Sequence, residues 1–166
     1  MSFGQSFQIT PVQMLRAVAA IVNGGKLVTP HFGLYTSSSD GSVVNEFAYS
    51  TEEEAISSQT SEMMKQILEG VVSEGGGTKA YIEGYSIGGK TATSQKLPRG
   101  SGKYISSFIG FAPADNPQVI AMCLIDEPTG VYYGGTIAAP VVKTLYENIL
   151  PYLGIERSVQ LEKNSD

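Results

Sequence analysis

Residues 84–95 read GYSIGGKTATSQ, and their types and spacing admit three chemistries. Gly84, Gly89, Lys90 and Thr91 satisfy GxxxxGK[ST], in which backbone N–H groups and a lysine cradle phosphates. Gly84, Ser86 and Gly88 satisfy GxSxG, the sharp turn that exposes a nucleophilic serine in many hydrolases. Lys90, Thr91 and Thr93 offer a cation and two hydroxyls on a short extended run, a set that can receive a carboxylate through charge-assisted hydrogen bonds.

The neighbouring residues decide between them. A phosphate loop follows a buried strand and opens a helix. Here AYIEGYS is short and polar, and TATSQKLPRG is β-branched and then broken by Pro98 and Gly100. VIAMCLID imitates the strand and aspartate of a magnesium site, but strands ending in Asp are common. The elbow needs a strand, turn and helix around Ser86 and a histidine downstream, whereas the only histidine, His31, lies upstream. His31, next to Pro30, reads as a surface or half-buried loop residue, and one histidine with one cysteine gives little from which to build a zinc site. The third chemistry fits a strand opening a hairpin. Alternation sends Lys90 to one face and Thr91 with Thr93 to the other. Both faces serve one site only if the strand is at a sheet edge, where free backbone N–H groups can also stabilise an oxyanion during acyl transfer.

The elements that must position this strand are legible around it. The 166 residues, 42% hydrophobic, suit one compact domain. Thr10 before Pro11, with Gln13 at the capping-box position, starts a helix. Met14, Leu15, Val18, Ala19, Ile21 and Val22 carry it to Asn23-Gly24-Gly25. KLVTPHFGLYT reads as a short strand or extended connection, and the polar stretch to Gln59 as a surface hairpin or loop. Ser61 with Met64 makes a poor capping box for a second helix, whose apolar positions are Met63, Met64, Ile67, Leu68, Val71 and Val72. Three antiparallel strands follow between Tyr85 and Asp126, because KLPRGSGK and ADNPQ are too short to cross over. After YYGGT comes a third helix with Ile137, Val141, Val142, Leu145, Ile149 and Leu150 on one face and Pro140 in its first turn. The fold class expected is α+β, with three helices around a small antiparallel sheet.

Charge and composition exclude several partners. A net charge of −5 and a pI near 4.9 argue against nucleic acid, which is bound through basic stripes. Cys123, within VIAMCLI, reads as a small buried thiol, and one cysteine forms no disulfide within the chain. No apolar run approaches the ~20 residues that span a bilayer. The N-terminus has no signal architecture, so the chain is expected to be soluble as given. Met1 runs directly into SFGQSFQITPVQ, which reads as mid-domain sequence, so a larger parent is expected.

Taken together, SFGQSFQITPVQMLRAVAAIVNGGKLVTPH, VVSEGGGTKA, GGKTATSQ, FIGFAPADNPQ and YYGGTIAAPVV resemble, in order, the landmarks of the C-terminal half of a class B penicillin-binding protein transpeptidase domain. The resemblance covers residues 1–155, leaving 156–166 as a polar tail expected to be flexible. It implies a D,D-transpeptidase, without cofactor or metal, that cross-links peptidoglycan stem peptides ending in D-Ala-D-Ala through an acyl-serine and is acylated by β-lactams. It implies a parent anchored at the extracytoplasmic face of the bacterial membrane by a segment outside this chain. It further implies that Lys90 assists the nucleophile's proton transfers. Thr91 and Thr93, with Gln95, would bind the substrate or β-lactam carboxylate region, and the Thr93 N–H would donate to the oxyanion.

Two departures qualify this. No lysine has a serine three residues before it, the nearest imitation being Thr93 to Lys96, and no asparagine has a serine two residues before it. The family's SxxK and SxN motifs are thus absent, and the chain alone is expected to be inactive. Ala92 stands where the family's KTG triplet has glycine, and its methyl is expected to narrow the groove on the Lys90 side. A non-catalytic binding or assembly module of the same fold, or a serine β-lactamase relative, are the alternatives. In the family the last strand pairs with one from the other half of the domain, so self-association through an exposed sheet edge is also expected.

Overall fold

A computed structural model describes residues 8–50 and 54–157. The first residues of the SFGQ landmark, the run 51–53 and most of the expected tail lie outside that range. The order is α1 (Pro11–Val22), β1 (Tyr35–Ser37), β2 (Val43–Glu46), α2 (Ser58–Ser73), a 3₁₀ turn (Thr78–Ala80), β3 (Gly88–Gln95), β4 (Tyr104–Ala112), β5 (Val119–Asp126), α3 (Gly134–Ile137) and α4 (Ala139–Tyr152). The architecture is mixed: helices around a three-stranded antiparallel sheet ordered β3-β4-β5, plus an exposed two-stranded hairpin, β1-β2. Among the described residues no helix is long and apolar enough to cross a membrane.

The capping box on α1 forms as its sequence dictates. Thr10 Oγ1 accepts from Gln13 N at 3.2 Å, and Gln13 Oε1 accepts from Thr10 N at 3.0 Å. At the other end, Ser61 takes a part the sequence did not suggest. It is not the cap of α2, which is Ser57, whose side chain accepts from Thr60 N. Ser61 is instead fully buried, accepting from Gly24 N at 3.0 Å and donating to Ile21 O at 2.7 Å. It thus satisfies two groups left over where α1 ends.

The inward face of α2 is Ser61, Met64, Lys65, Leu68 and Val72, rotated from the expected one; Met63 and Ile67 are exposed. Lys65 is tolerated at 8% exposure because its ammonium donates to Asp115 O at 2.7 Å and meets Glu62 Oε1 at 2.8 Å. The expected third helix is divided at Ala138. Its buried side is Ala138, Ala139, Val142, Tyr146 and Leu150, with Ile149 half-buried, while Val141 and Leu145 are exposed. Alanines win the inner positions because α3 and α4 approach the sheet closely. Tyr146 is buried because its hydroxyl reaches Gly110 O at 2.5 Å.

The sheet has a core on each face. Phe111 packs with Val22, Ala114, Ile21 and Leu68, under α1 and α2. Phe108 packs with Val72, Ala138, Val142 and Tyr146, under α4 and the last turn of α2. Cys123, the register partner of Phe108, is half-buried against this second cluster, and burial pushes its thiol above the ordinary range.

Candidate active site

Strand β3 begins at Gly88 and not at Tyr85. The β3–β4 register would place Ser86 opposite Pro113, which has no N–H to donate. Ser86 bonds Ala114 instead, its Oγ accepting from Ala114 N at 2.9 Å and its carbonyl accepting the same N–H at 3.0 Å. The serine of the GxSxG pattern is therefore engaged structurally. Gly88 and Gly89 are demanded by packing: a Cβ on Gly88 would lie 2.2 Å from the Phe111 ring, and one on Gly89 2.5 Å from the Phe108 ring. The two aromatic rings of β4 cross the start of β3 on opposite faces.

Among the described residues β4 is the only strand that β3 pairs with, so β3 is a sheet edge. The hydrogen-bond phase follows from the hairpin. Lys96 N donates to Lys103 O at 2.9 Å, and bonded pairs alternate along an antiparallel ladder. Ala92 with Ser107 and Lys90 with Ile109 are therefore the bonded pairs. Thr91 and Thr93 turn their backbone N–H and C=O groups outward, off the edge. Lys90 Nζ reaches round to this edge and donates to the outward Thr91 carbonyl at 2.8 Å. The ammonium, two hydroxyl-bearing residues and outward amides thus share one strip of surface about five residues long.

The two faces differ in what they meet. Lys90 lies on the α1–α2 side, at the rim of an apolar cavity of ≈260 Å³ formed by Val18, Ile21, Met64, Leu68, Ile109 and Phe111. Ala92 is exposed on the same side. Thr91 and Thr93 face the other way, with Phe108 and Ser106 as their register partners. Gly134 N donates to Thr93 Oγ1 at 3.1 Å. Thr91 is flanked by two glycine runs: a Cβ on Gly135 would lie 3.2 Å from Thr91 Cγ2 and 2.5 Å from Gly76 O. Gln95, half-buried at the end of the strand, pairs with Tyr104. Tyr104 stacks on Tyr132 at 4.1 Å and 6°, and Tyr132 contacts the exposed Tyr133 at 4.7 Å. The sequence alone gives no part to the Tyr104–Tyr132–Tyr133 cluster or to Gly134, since YYGG stands out in it only as a family landmark.

His31, Lys96 and the tail lie away from this strip in their contacts. His31 stacks on Tyr49 at 3.7 Å, exposed, with Nδ1 2.7 Å from the Thr29 carbonyl. Lys96 binds Asp126 at 2.9 Å and Glu127 at 2.8 Å, which raises the lysine's affinity for its proton and lowers that of Glu127. Arg157, in the expected tail, has its guanidinium carbon 5.5 Å from the centre of the Tyr85 ring.

Comparison with known proteins places the chain in a family. Residues 1–147 match the penicillin binding protein transpeptidase domain. The chain is 41% identical over 168 aligned residues to stage V sporulation protein D of Bacillus subtilis, covering 98% of this chain and 26% of that protein. It is 33% identical to a probable peptidoglycan D,D-transpeptidase PenA of Neisseria flavescens, covering 99% of this chain and 40% of the relative. Among solved structures, penicillin-binding protein 3 of Mycobacterium tuberculosis complexed with ampicillin superposes with a TM-score of 0.81 at 28% identity, over 96% of this chain and 38% of that one. The chain thus spans between about a quarter and two-fifths of the length of these relatives. On the family match over residues 1–147 and the identity to these relatives, the chain belongs to the penicillin-binding protein transpeptidase family, class B.

Proposed function

We propose that this chain forms one wall of the acyl-transfer site of a peptidoglycan D,D-transpeptidase, with the nucleophilic serine supplied from outside the 166 residues. The observation that carries the reading is the strip along β3: Lys90 Nζ at the same edge as the outward amides of Thr91 and Thr93. In the reaction the serine hydroxyl attacks the penultimate carbonyl of a stem peptide ending in D-Ala-D-Ala. Its proton passes to the departing amine, D-Ala leaves, and an ester to the serine remains. An amine of a second stem peptide then attacks that ester, forming the cross-link and returning the proton to the serine.

Each residue of the strip has a part in this. Lys90 supplies positive potential beside the nucleophile and favours its deprotonated form. Thr91 and Thr93 hydroxyls bind the terminal carboxylate of the stem peptide, or that of a β-lactam, with Gln95 extending the binding surface. The Thr93 N–H, turned outward, donates to the oxyanion of the tetrahedral intermediate, a role in which one donor is worth about 10²–10³ in rate. Tyr104, Tyr132 and Tyr133 bound the groove beyond Gln95. The parent works at the extracytoplasmic face of the membrane, and the outer edge of β5 takes a strand from the rest of the domain. On its own, with that edge open, the chain self-associates.

Labelling with a fluorescent penicillin tests the reading. The full-length parent is expected to form a covalent adduct, and this chain alone, lacking SxxK, to form none. A parent that carries no adduct favours the non-catalytic assembly module, which the absent motifs and Ala92 also suit. Hydrolytic turnover of the penicillin favours a β-lactamase relative.

A further inference from the structure

The reading of Thr93 as a carboxylate ligand leaves open what aims its hydroxyl. That hydroxyl has one proton to give and two lone pairs to fill. Gly134 N fills one of the lone pairs, at 3.1 Å. The amide is available because it opens α3, where the first N–H groups have no partner within the helix; the Tyr133 carbonyl is taken by Thr136 N and Ile137 N. The opposing residue on β4 secures the same segment: Ser106, the register partner of Thr93, is fully buried and donates to the Tyr132 carbonyl. One cross-strand pair of hydroxyls therefore holds both ends of residues 132–134 against the same face of the sheet. Only glycine can bring its N–H this near, since a Cβ at position 134 would lie 2.3 Å from both Ala92 O and Ser107 O. Thr91 has no equivalent among the described residues; its flanking glycines make room for it without bonding it.

We propose that Gly134 is a positioning residue. Its amide fixes the Thr93 hydroxyl as an acceptor toward α3 and so as a donor toward the carboxylate of the acyl donor. This rests on the transpeptidase reading and deepens it. With one lone pair occupied, and χ1 of a β-branched side chain already restricted, the Thr93 proton is oriented before substrate arrives. Thr93 therefore carries more of the discrimination for a carboxylate than Thr91 does.

The test compares acylation rate constants of the full-length protein for benzylpenicillin and for its methyl ester, whose ratio reports recognition of the carboxylate alone. Replacing the residue-134 amide by an ester, with glycolate in place of glycine, removes the N–H and adds no atom. The ratio is expected to fall roughly threefold to tenfold, the worth of one hydrogen bond. Gly134→Ala, which also forces α3 away, is expected to lower it at least as far. In a Thr93→Val background the ester replacement is expected to leave the ratio unchanged, because the group it orients is gone. A purely structural role lowers both rates together and keeps the ratio of the wild-type protein. That outcome, or a further fall in the Thr93→Val background, overturns the proposal. If the unmodified protein reacts with neither compound, it is the transpeptidase reading that fails.

Discussion

Removing the Ser61 hydroxyl should loosen the pair of helices that backs the Lys90 face of the sheet. Ser61→Ala deletes two hydrogen bonds, one from Gly24 N at 3.0 Å and one to Ile21 O at 2.7 Å. Each is worth about 1 kcal/mol net, and each leaves a backbone group short of a partner, which costs about 1–3 kcal/mol where water is excluded. Ile21 and Gly24 are half-buried, so water recovers part of that penalty. The expected loss is about 2–3 kcal/mol, or roughly 5–10 °C in Tm for a domain of this size. Paired urea titrations of the wild-type and variant chains, followed by circular dichroism, give the difference from the midpoints at unchanged slope. A loss below about 0.5 kcal/mol would show that Ser61 is a spectator and that the α1–α2 junction is held by apolar contact alone.

Three further outcomes are expected. Gly89→Ala puts a methyl 2.5 Å from the Phe108 ring and 2.7 Å from Ile109 O, so it should destabilise by about 1–3 kcal/mol or more, measured in the same urea titration. Burial holds the Tyr146 phenol above its ordinary value. The unfolded chain therefore loses this proton first, and stability is retained below the unfolded value of ~10 and falls as pH rises beyond it. Tyr146→Phe should reduce that alkaline slope in urea midpoints taken between about pH 9 and 11, and an unchanged slope would remove Tyr146 from the account. In the full-length protein Ala92→Gly should speed acylation by β-lactams by opening the Lys90 side of the groove, and equal rate constants for the two proteins would sink that idea.

What the sequence disclosed and what it withheld divide along physical lines. The α1 cap, the alternation of Lys90 against Thr91 and Thr93, and the order of three hairpin-connected strands depend on residues close together in the chain, so spacing sufficed. The faces of α2 and α4 depend on what lies opposite. Ser61 is buried because its partners are 37 and 40 residues away, and Lys65 because Asp115 is 50 away. Val141 and Leu145 look like core residues yet face outward, since alanines are what fit against β4. Strand β3 starts only at Gly88 because Pro113, just past the end of β4 and 25 residues on in the chain, ends the ladder. The contact between Gly134 and Thr93 joins residues 41 apart, and nothing local announces it beyond a pair of adjacent glycines.

The central claim is that the outward edge of β3 is where acyl transfer takes place. A crystal structure of the full-length protein after reaction with a penicillin tests it most directly. The expected result is a β-lactam carboxylate within hydrogen-bond distance of the Thr91 and Thr93 hydroxyls, and an ester carbonyl oxygen on the Thr93 N–H. An adduct whose carboxylate and carbonyl oxygen touch neither residue would contradict the account.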